Sequence, residues 1–122
     1  MNKSALVIEI LEEYWTDECD AAGLANVKDI VEGEIQYESA EGGSYIDLGS
    51  ILTTLAAGSV FIKNTIDIYE SLRKKLNTNP NCENIKSEMK QKNLVPDEID
   101  ENTSNEVYKS ICEKLEKDNL EK

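Results

Sequence analysis

The sequence predicts a mainly α-helical fold, with an α+β arrangement as the alternative. The strongest observation is a 29-residue segment, Leu48–Leu76, that repeats apolar side chains at helical spacing. Segments near both ends of the chain show the same spacing over shorter lengths. We therefore expect a long central helix packed by one N-terminal and two C-terminal helices. The expected organisation is a single domain over residues 1–122, with 118–122 as a frayed tail.

The first helix is expected to run from residue 4 to about residue 16, with Ser4 as its N-cap. β-Branched residues between positions 6 and 10 leave a short strand as the alternative. Trp15 is expected to anchor the core, because it is the single Trp of a chain with few aromatic residues. The apolar positions at i, i+3, i+4 and i+7 are Val7, Ile10, Leu11 and Tyr14.

The segment that follows is expected to be mostly irregular, with a small β-hairpin as an option. Residues 17–25 are interpreted as a loop in which Gly23 ends the preceding helix. Residues 26–32 are interpreted as a helical turn or a first strand. Alternating apolar and polar residues over 34–39 are typical of a half-buried strand. A glycine-rich turn after it would complete a hairpin within residues 27–46.

The long helix is expected to begin between residues 47 and 50 and to end near Leu76. Its front half is apolar almost all round, which predicts that protein surrounds it. Gly58 lowers helix propensity by about 1 kcal/mol relative to Ala, so it is also a candidate break. Four successive small residues would let another helix approach closely and form the candidate helix seam. They are Ala56, Ala57, Gly58 and Ser59.

Two shorter helices are expected in the C-terminal part of the chain. Pro80 is suited to the first position of a helix that should run to about Gln91. Thr103 and Glu106 have the spacing of a capping box, which predicts a last helix over residues 104–117.

The charge of the chain is strongly negative and unevenly distributed. Lys and Arg number 13 against 25 Asp and Glu, with no His, for a net charge of −12. Residues 1–47 carry −10, residues 48–93 carry +3 and residues 94–122 carry −5. The acidic ends either neutralise the basic middle or leave a face free for a basic partner. No nucleic-acid partner is expected, because binding to phosphates needs a positive surface. The candidate acidic face consists of Glu12, Glu13, Asp17, Glu18 and Asp20.

The residue types argue against catalysis. The absence of His excludes the Ser-His-Asp triad, the Cys-His dyad and His-ligated metals. Cys19, Cys82 and Cys112 form no CxxC pair and are interpreted as reduced thiols. The acidic clusters at 17–20 and 97–101 lack the spacing of a calcium loop. We therefore predict no catalytic residues, no metal and no cofactor.

The longest uncharged stretch, residues 48–62, has 15 residues, whereas a membrane-spanning helix needs about 20. We interpret it as a buried core helix and disfavour a membrane partner. Glu9 interrupts the apolar run near the N-terminus, so no signal peptide is expected. The predicted location is cytoplasmic.

A pattern over residues 27–76 covers about 40% of the chain. The candidate strand at 34–39 leads through Gly43 into an apolar helix with small residues, which carries Tyr69, Leu72 and Arg73 near its end. This pattern resembles the small effector-associated constant components of bacterial conflict systems. The resemblance implies a non-enzymatic adaptor and supplies no site residues. The long acidic C-terminal segment departs from that family. The pattern includes Leu48-Gly49 and Leu55-Ala56-Ala57-Gly58.

Three functional hypotheses follow from these features. The first is a non-catalytic protein-protein interaction module, as an adaptor, antitoxin or immunity-type protein that binds a basic partner through the acidic face. The second is a structural subunit that forms a homo-oligomer through the apolar helix 48–76. A membrane-associating component is the least favoured hypothesis.

Overall fold

The computed structural model describes residues 2–33 and 48–120. Within those ranges the chain is mainly helical, as predicted, and no strand occurs. Residues 26–32 are helical, which confirms the interpretation of this segment as helical, and the alternative of a first strand is wrong. The rest of the predicted hairpin lies outside the described residues. The helices are α1 (Lys3–Tyr14), α2 (Thr16–Ala22), α3 (Leu24–Glu32), α4 (Leu48–Leu76), α5 (Cys82–Gln91) and α6 (Glu101–Leu120).

The backbone contacts divide the chain into two compact units. The N-terminal unit spans residues 2–60, and the C-terminal unit spans residues 61–122. The long helix α4 contributes residues to both units. Whether the chain folds as the single domain expected from its length stays a prediction.

The helix α1 confirms the first predicted element. Leu6, Val7, Ile10 and Leu11 are buried in it, and the alternative of a strand over residues 6–10 is wrong. The predicted cap is also wrong, because the side chain of Asn2 accepts a hydrogen bond from the backbone N–H of Ala5 at 3.2 Å. Asn and Ser are equally good N-caps, so residue preference alone did not decide between positions 2 and 4.

The predicted loop over residues 17–25 is wrong, because these residues form most of a second helix, α2, and the first residues of α3. Asp17 and Glu18 occupy the first turn of α2, where the helix dipole favours negative charge. Cys19 and Ala22 form its buried side, and these two small residues gave little apolar signal in the sequence. The prediction that Gly23 ends the first helix is wrong, because Gly23 ends α2, where its φ of 87° suits glycine. The helices α1, α2 and α3 pack on one another.

The helix α4 has the predicted length and continues through Gly58, so the candidate break is wrong. A Cβ atom at position 58 would lie 3.1 Å from Cδ2 of Leu11 and 3.5 Å from Cζ2 of Trp15. The missing side chain therefore lets α1 and the following Trp15 approach α4 closely. Trp15 is buried, which confirms its expected place in the core. The front half of α4 is less enclosed than predicted, because Val60 is 53% exposed.

The C-terminal unit consists of the second half of α4 with α5 and α6. The rings of Phe61 and Tyr108 meet at a centroid distance of 5.4 Å and an angle of 60°, a tilted arrangement that is favourable for aromatic pairs. Ile85 and Met89 of α5 are fully buried, as is Ile111 of α6. The apolar faces predicted for both helices are thus confirmed.

Both predicted caps in the C-terminal unit are wrong. Asn81 caps α5, with a reciprocal hydrogen-bond pair to Asn84, so Pro80 precedes the helix. In α6 the carboxylate of Asp100 accepts the backbone N–H of Thr103 at 2.7 Å. Asp100 is as good a cap as Thr, and it starts the helix three residues earlier, at Glu101. The end of α6 lies at residue 120, beyond the predicted Lys117.

Candidate interaction surface

The five residues of the predicted acidic face lie on the end of α1 and on α2. We call this group the acidic surface. Four of its members are exposed and Glu18 is half-buried. The short break at Trp15, between α1 and α2, brings side chains from the two helices onto one part of the N-terminal unit. The acidic surface consists of Glu12, Glu13, Asp17, Glu18 and Asp20.

The buried thiol of Cys19 reports how close several of these carboxylates lie. Burial is the main reason that the pKa of Cys19 is raised to about 11. The next contributions to this pKa come from the negative charges of Glu12, Glu18 and Asp20. Because such charges act strongly only at short range, these three carboxylates share one neighbourhood across two helices. Glu18 and Asp20 flank Cys19 in the sequence, whereas no sequence signal indicated that Glu12 of α1 would lie near it.

Few positive charges in the N-terminal unit oppose the acidic surface. Its described residues include two Lys, Lys3 and Lys28, against eight Asp and Glu, which gives −6. Within the described part of this unit, Glu12, Asp17 and Asp20 form no ion pair with either Lys. The negative potential around the acidic surface is therefore not cancelled within the unit.

The predicted helix seam is only partly accessible. Gly58 and Ser59 are buried, whereas Ala56 and Ala57 are half-buried. A side chain at position 58 would meet Leu11 and Trp15 of the same chain, so the small size of Gly58 serves packing within the N-terminal unit. A contact of Ala56 and Ala57 with a second chain stays a prediction.

The other two cysteines lie together in the C-terminal unit, although 30 residues separate them in the sequence. The Cys82 sulfur lies 3.8 Å from the carbonyl oxygen of Tyr108, one helical turn before Cys112. Burial, followed by a hydrogen bond with Cys82, raises the pKa of Cys112 far above its usual range. Such a thiol is a poor nucleophile at neutral pH. Among the described residues, no group of three or more Cys, Asp or Glu could hold a metal ion.

One helix among the described residues, Gly49–Leu76, is long and apolar enough to cross a bilayer by length and composition alone. Half of its apolar window is buried inside the protein. Core helices of soluble proteins often have the same properties, so this finding is weak evidence for a membrane location.

No family model, curated protein or solved structure matches this chain. The structure defines a helical chain of two compact units with an acidic surface on the first.

Proposed function

We propose that this protein is a non-catalytic interaction module that binds a basic protein partner through the acidic surface. The observation that carries the proposal is the uncompensated charge of the N-terminal unit, with three of its carboxylates gathered around Cys19. Such a potential attracts a positive surface before contact and speeds association.

The packing beneath the acidic surface supports a preorganised binding site. Leu11, Trp15 and Cys19 lie next to or between the acidic-surface residues in the sequence, and their side chains are buried. Thr16 donates a hydrogen bond to the carbonyl of Glu12 at 2.7 Å, which ties the start of α2 to the end of α1. A surface held in this way loses less conformational entropy on binding than a flexible acidic tail would lose.

The resemblance over residues 27–76 supplies the biological setting of the proposal. According to this resemblance, the protein acts in the bacterial cytoplasm as an adaptor, antitoxin or immunity-type protein of a conflict system. The basic partner would then be an effector or toxin of that system. The acidic surface lies outside residues 27–76, so the resemblance and the charge support the proposal independently.

The alternative is a structural subunit that associates through α4. Two large apolar side chains on that helix favour it, because Val60 is 53% exposed and Leu76 is 49% exposed. Sedimentation velocity distinguishes the two functions. A monomer across micromolar concentrations supports the interaction module, and a stable dimer that Val60→Ser dissociates supports the structural subunit.

The test of the interaction module is a pull-down from the native host with two matched variants. The acidic-surface variant carries Glu12→Gln, Asp17→Asn and Asp20→Asn, all at exposed positions. The C-terminal control variant removes the same charge at three other exposed positions through Asp97→Asn, Glu98→Gln and Glu113→Gln.

We expect wild type and the C-terminal control variant to capture one basic partner that high salt releases, and the acidic-surface variant to lose it. Equal capture by the two variants would contradict the proposal. Retention of the partner at high salt would instead place the interface on an apolar surface such as α4.

A further inference from the structure

Two of the three cysteines meet in the C-terminal unit, where the start of α5 lies against the middle of α6. Cys82 is the first residue of α5, and Cys112 lies in the middle of α6. These two helices pack on each other, and both belong to the C-terminal unit. Cys19 belongs to the N-terminal unit. The cysteine pair is therefore separate from the acidic surface and from the interaction proposed for it.

The hydrogen bonds of the two thiols show that they are in contact. The Cys82 thiol donates to the carbonyl oxygen of Tyr108, with the sulfur 3.8 Å from that oxygen. Within a helix the side chain four residues later starts beside such a carbonyl, and here that side chain is Cys112. Thr65 has this geometry in α4, because its hydroxyl donates to the carbonyl of Phe61 at 2.8 Å. The thiols of Cys82 and Cys112 are also hydrogen-bonded to each other.

The capping of α5 holds Cys82 in this place. The Asn81 side chain accepts the backbone N–H of Asn84 at 2.9 Å, and the Asn84 side chain accepts the backbone N–H of Asn81 at 3.3 Å. Ile85 follows in the first turn and is fully buried. The contact of the two thiols is therefore a property of a capped and packed helix start.

The two cysteines differ in their access to solvent. Cys82 is half-buried, so a small oxidant can reach its sulfur, whereas Cys112 is 6% exposed. Burial, followed by the hydrogen bond with Cys82, raises the pKa of Cys112, which slows its direct reaction with an oxidant. An accessible thiol beside a second thiol that can displace a group from it is the usual arrangement of a redox-sensing pair.

We propose that Cys82 and Cys112 form a reversible disulfide in the presence of a low-molecular-weight disulfide such as oxidised glutathione. Cys82 loses its proton, and its sulfur attacks one sulfur of the oxidant, whose S–S bond breaks and releases one glutathione thiolate. The sulfur of Cys112 then loses its proton and attacks the sulfur of Cys82, which releases the second glutathione thiolate. The two thiolates take up the two protons. Two protein thiols are thus oxidised by two electrons, and one glutathione disulfide is reduced to two glutathione thiols.

The new bond ties the start of α5 to α6 and closes a loop over residues 82–112. Closing such a loop restricts the unfolded chain and stabilises the folded unit. Disulfides in reducing compartments are usually transient and serve catalysis or redox sensing. The C-terminal unit would in this way respond to oxidation while the acidic surface keeps its charge.

The test treats the full chain with millimolar oxidised glutathione, blocks the remaining thiols with N-ethylmaleimide and identifies linked tryptic peptides by mass spectrometry. We expect a monomer in which peptide 76–86, with Cys82, is linked to peptide 110–114, with Cys112. This link should be about tenfold more abundant than any link to Cys19, because adjacent thiols have a high effective concentration. Excess reduced glutathione should remove it. The oxidised protein should melt about 5 °C or more above the reduced protein.

Two variants each remove one thiol. Cys82→Ser, at the half-buried position, should lose both the link and the shift in melting temperature. Cys19→Ala is the matched control and should keep both. Links that form equally among all three cysteines would overturn the proposal, as would a glutathione adduct on Cys82 that never gives way to the link. A shift in melting temperature that persists in Cys82→Ser would also overturn it.

Discussion

The N-terminal and C-terminal units differ most in how their charges are balanced. The described residues of the N-terminal unit hold two Lys against eight Asp and Glu, whereas those of the C-terminal unit hold ten Lys and Arg against twelve. In the C-terminal unit, local pairs such as Lys86–Glu101 and Lys92–Glu88 form at 3.7 Å. The described residues of the first unit thus carry a net charge of −6, whereas those of the second are nearly balanced at −2.

The largest expected effect comes from a cavity-creating substitution in each core. Leu11→Ala in the N-terminal unit and Ile111→Ala in the C-terminal unit each remove a fully buried side chain. Each should lower the free energy of unfolding by about 2–5 kcal/mol. Trp15 is the single Trp, so its fluorescence during urea denaturation reports the N-terminal unit.

Leu11→Ala must lower the midpoint of the Trp15 transition if the described packing is correct. An equal shift by Ile111→Ala would mean that the two units unfold together, as a single domain requires. A Trp15 transition that Ile111→Ala leaves in place would mean that they unfold separately.

The next largest effect is expected at the close contact of α1 with α4. Gly58→Val places a branched side chain where a Cβ atom alone would lie 3.1 Å from Leu11. We expect a loss of about 1–3 kcal/mol in unfolding free energy from overpacking. Ala57→Val at the half-buried neighbouring position is the control and should cost less. An equal cost at both positions would mean that Gly58 does not determine the approach of the helices.

A smaller effect is expected on the reactivity of Cys19. Replacing Glu12 and Asp20 by their amides removes negative charges that raise the pKa of this thiol. The thiolate fraction at a given pH should then rise, and alkylation by iodoacetamide should become about twofold faster or more. Mass spectrometry of the Cys19 peptide measures this rate between pH 8 and pH 10. The same rate in wild type would mean that the charges of Glu12 and Asp20 do not act on the thiol of Cys19.

The smallest effect is expected at the cap of α6. The hydrogen bond from the backbone N–H of Thr103 lowers the pKa of Asp100 below its usual 3.8. The ionised carboxylate therefore stabilises the fold above the pKa of the unfolded state, and this contribution is lost as the pH falls through the folded pKa. Asp100→Asn still caps the helix but does not titrate, so its stability should fall less steeply between pH 5 and pH 2. Parallel thermal melts of both proteins over this range check the difference.

The predictable parts of the fold are those in which a single strong sequence pattern determines where a helix lies. The apolar stripe of α4 fixed the bounds of that helix within a few residues. The helix α2 was missed because seven residues with only Cys19 and Ala22 buried give no clear period. The caps of α1, α5 and α6 were misplaced because neighbouring positions hold equally good capping residues, as Asn2 and Ser4 do.

The exposure of four of the five acidic-surface residues could be predicted from their charge. The closeness of Glu12 to Cys19 could not, because it depends on the break between α1 and α2 at Trp15. A cavity of about 340 Å³ in the C-terminal unit was not predictable either, since the residues that line it are spread along the chain from Lys86 to Tyr108. Their convergence requires the left-handed backbone of Asn93 and the chain reversal that follows it.

The most direct test of the acidic surface is the rate at which the captured partner associates with wild type and the two matched variants, measured by stopped flow at low and high ionic strength. The acidic-surface variant should associate about tenfold more slowly than wild type at low ionic strength, and the difference should shrink as salt screens the charges. The C-terminal control variant should keep the wild-type rate. Equal rates for the two variants, or a wild-type rate that does not change with salt, would contradict binding through the acidic surface.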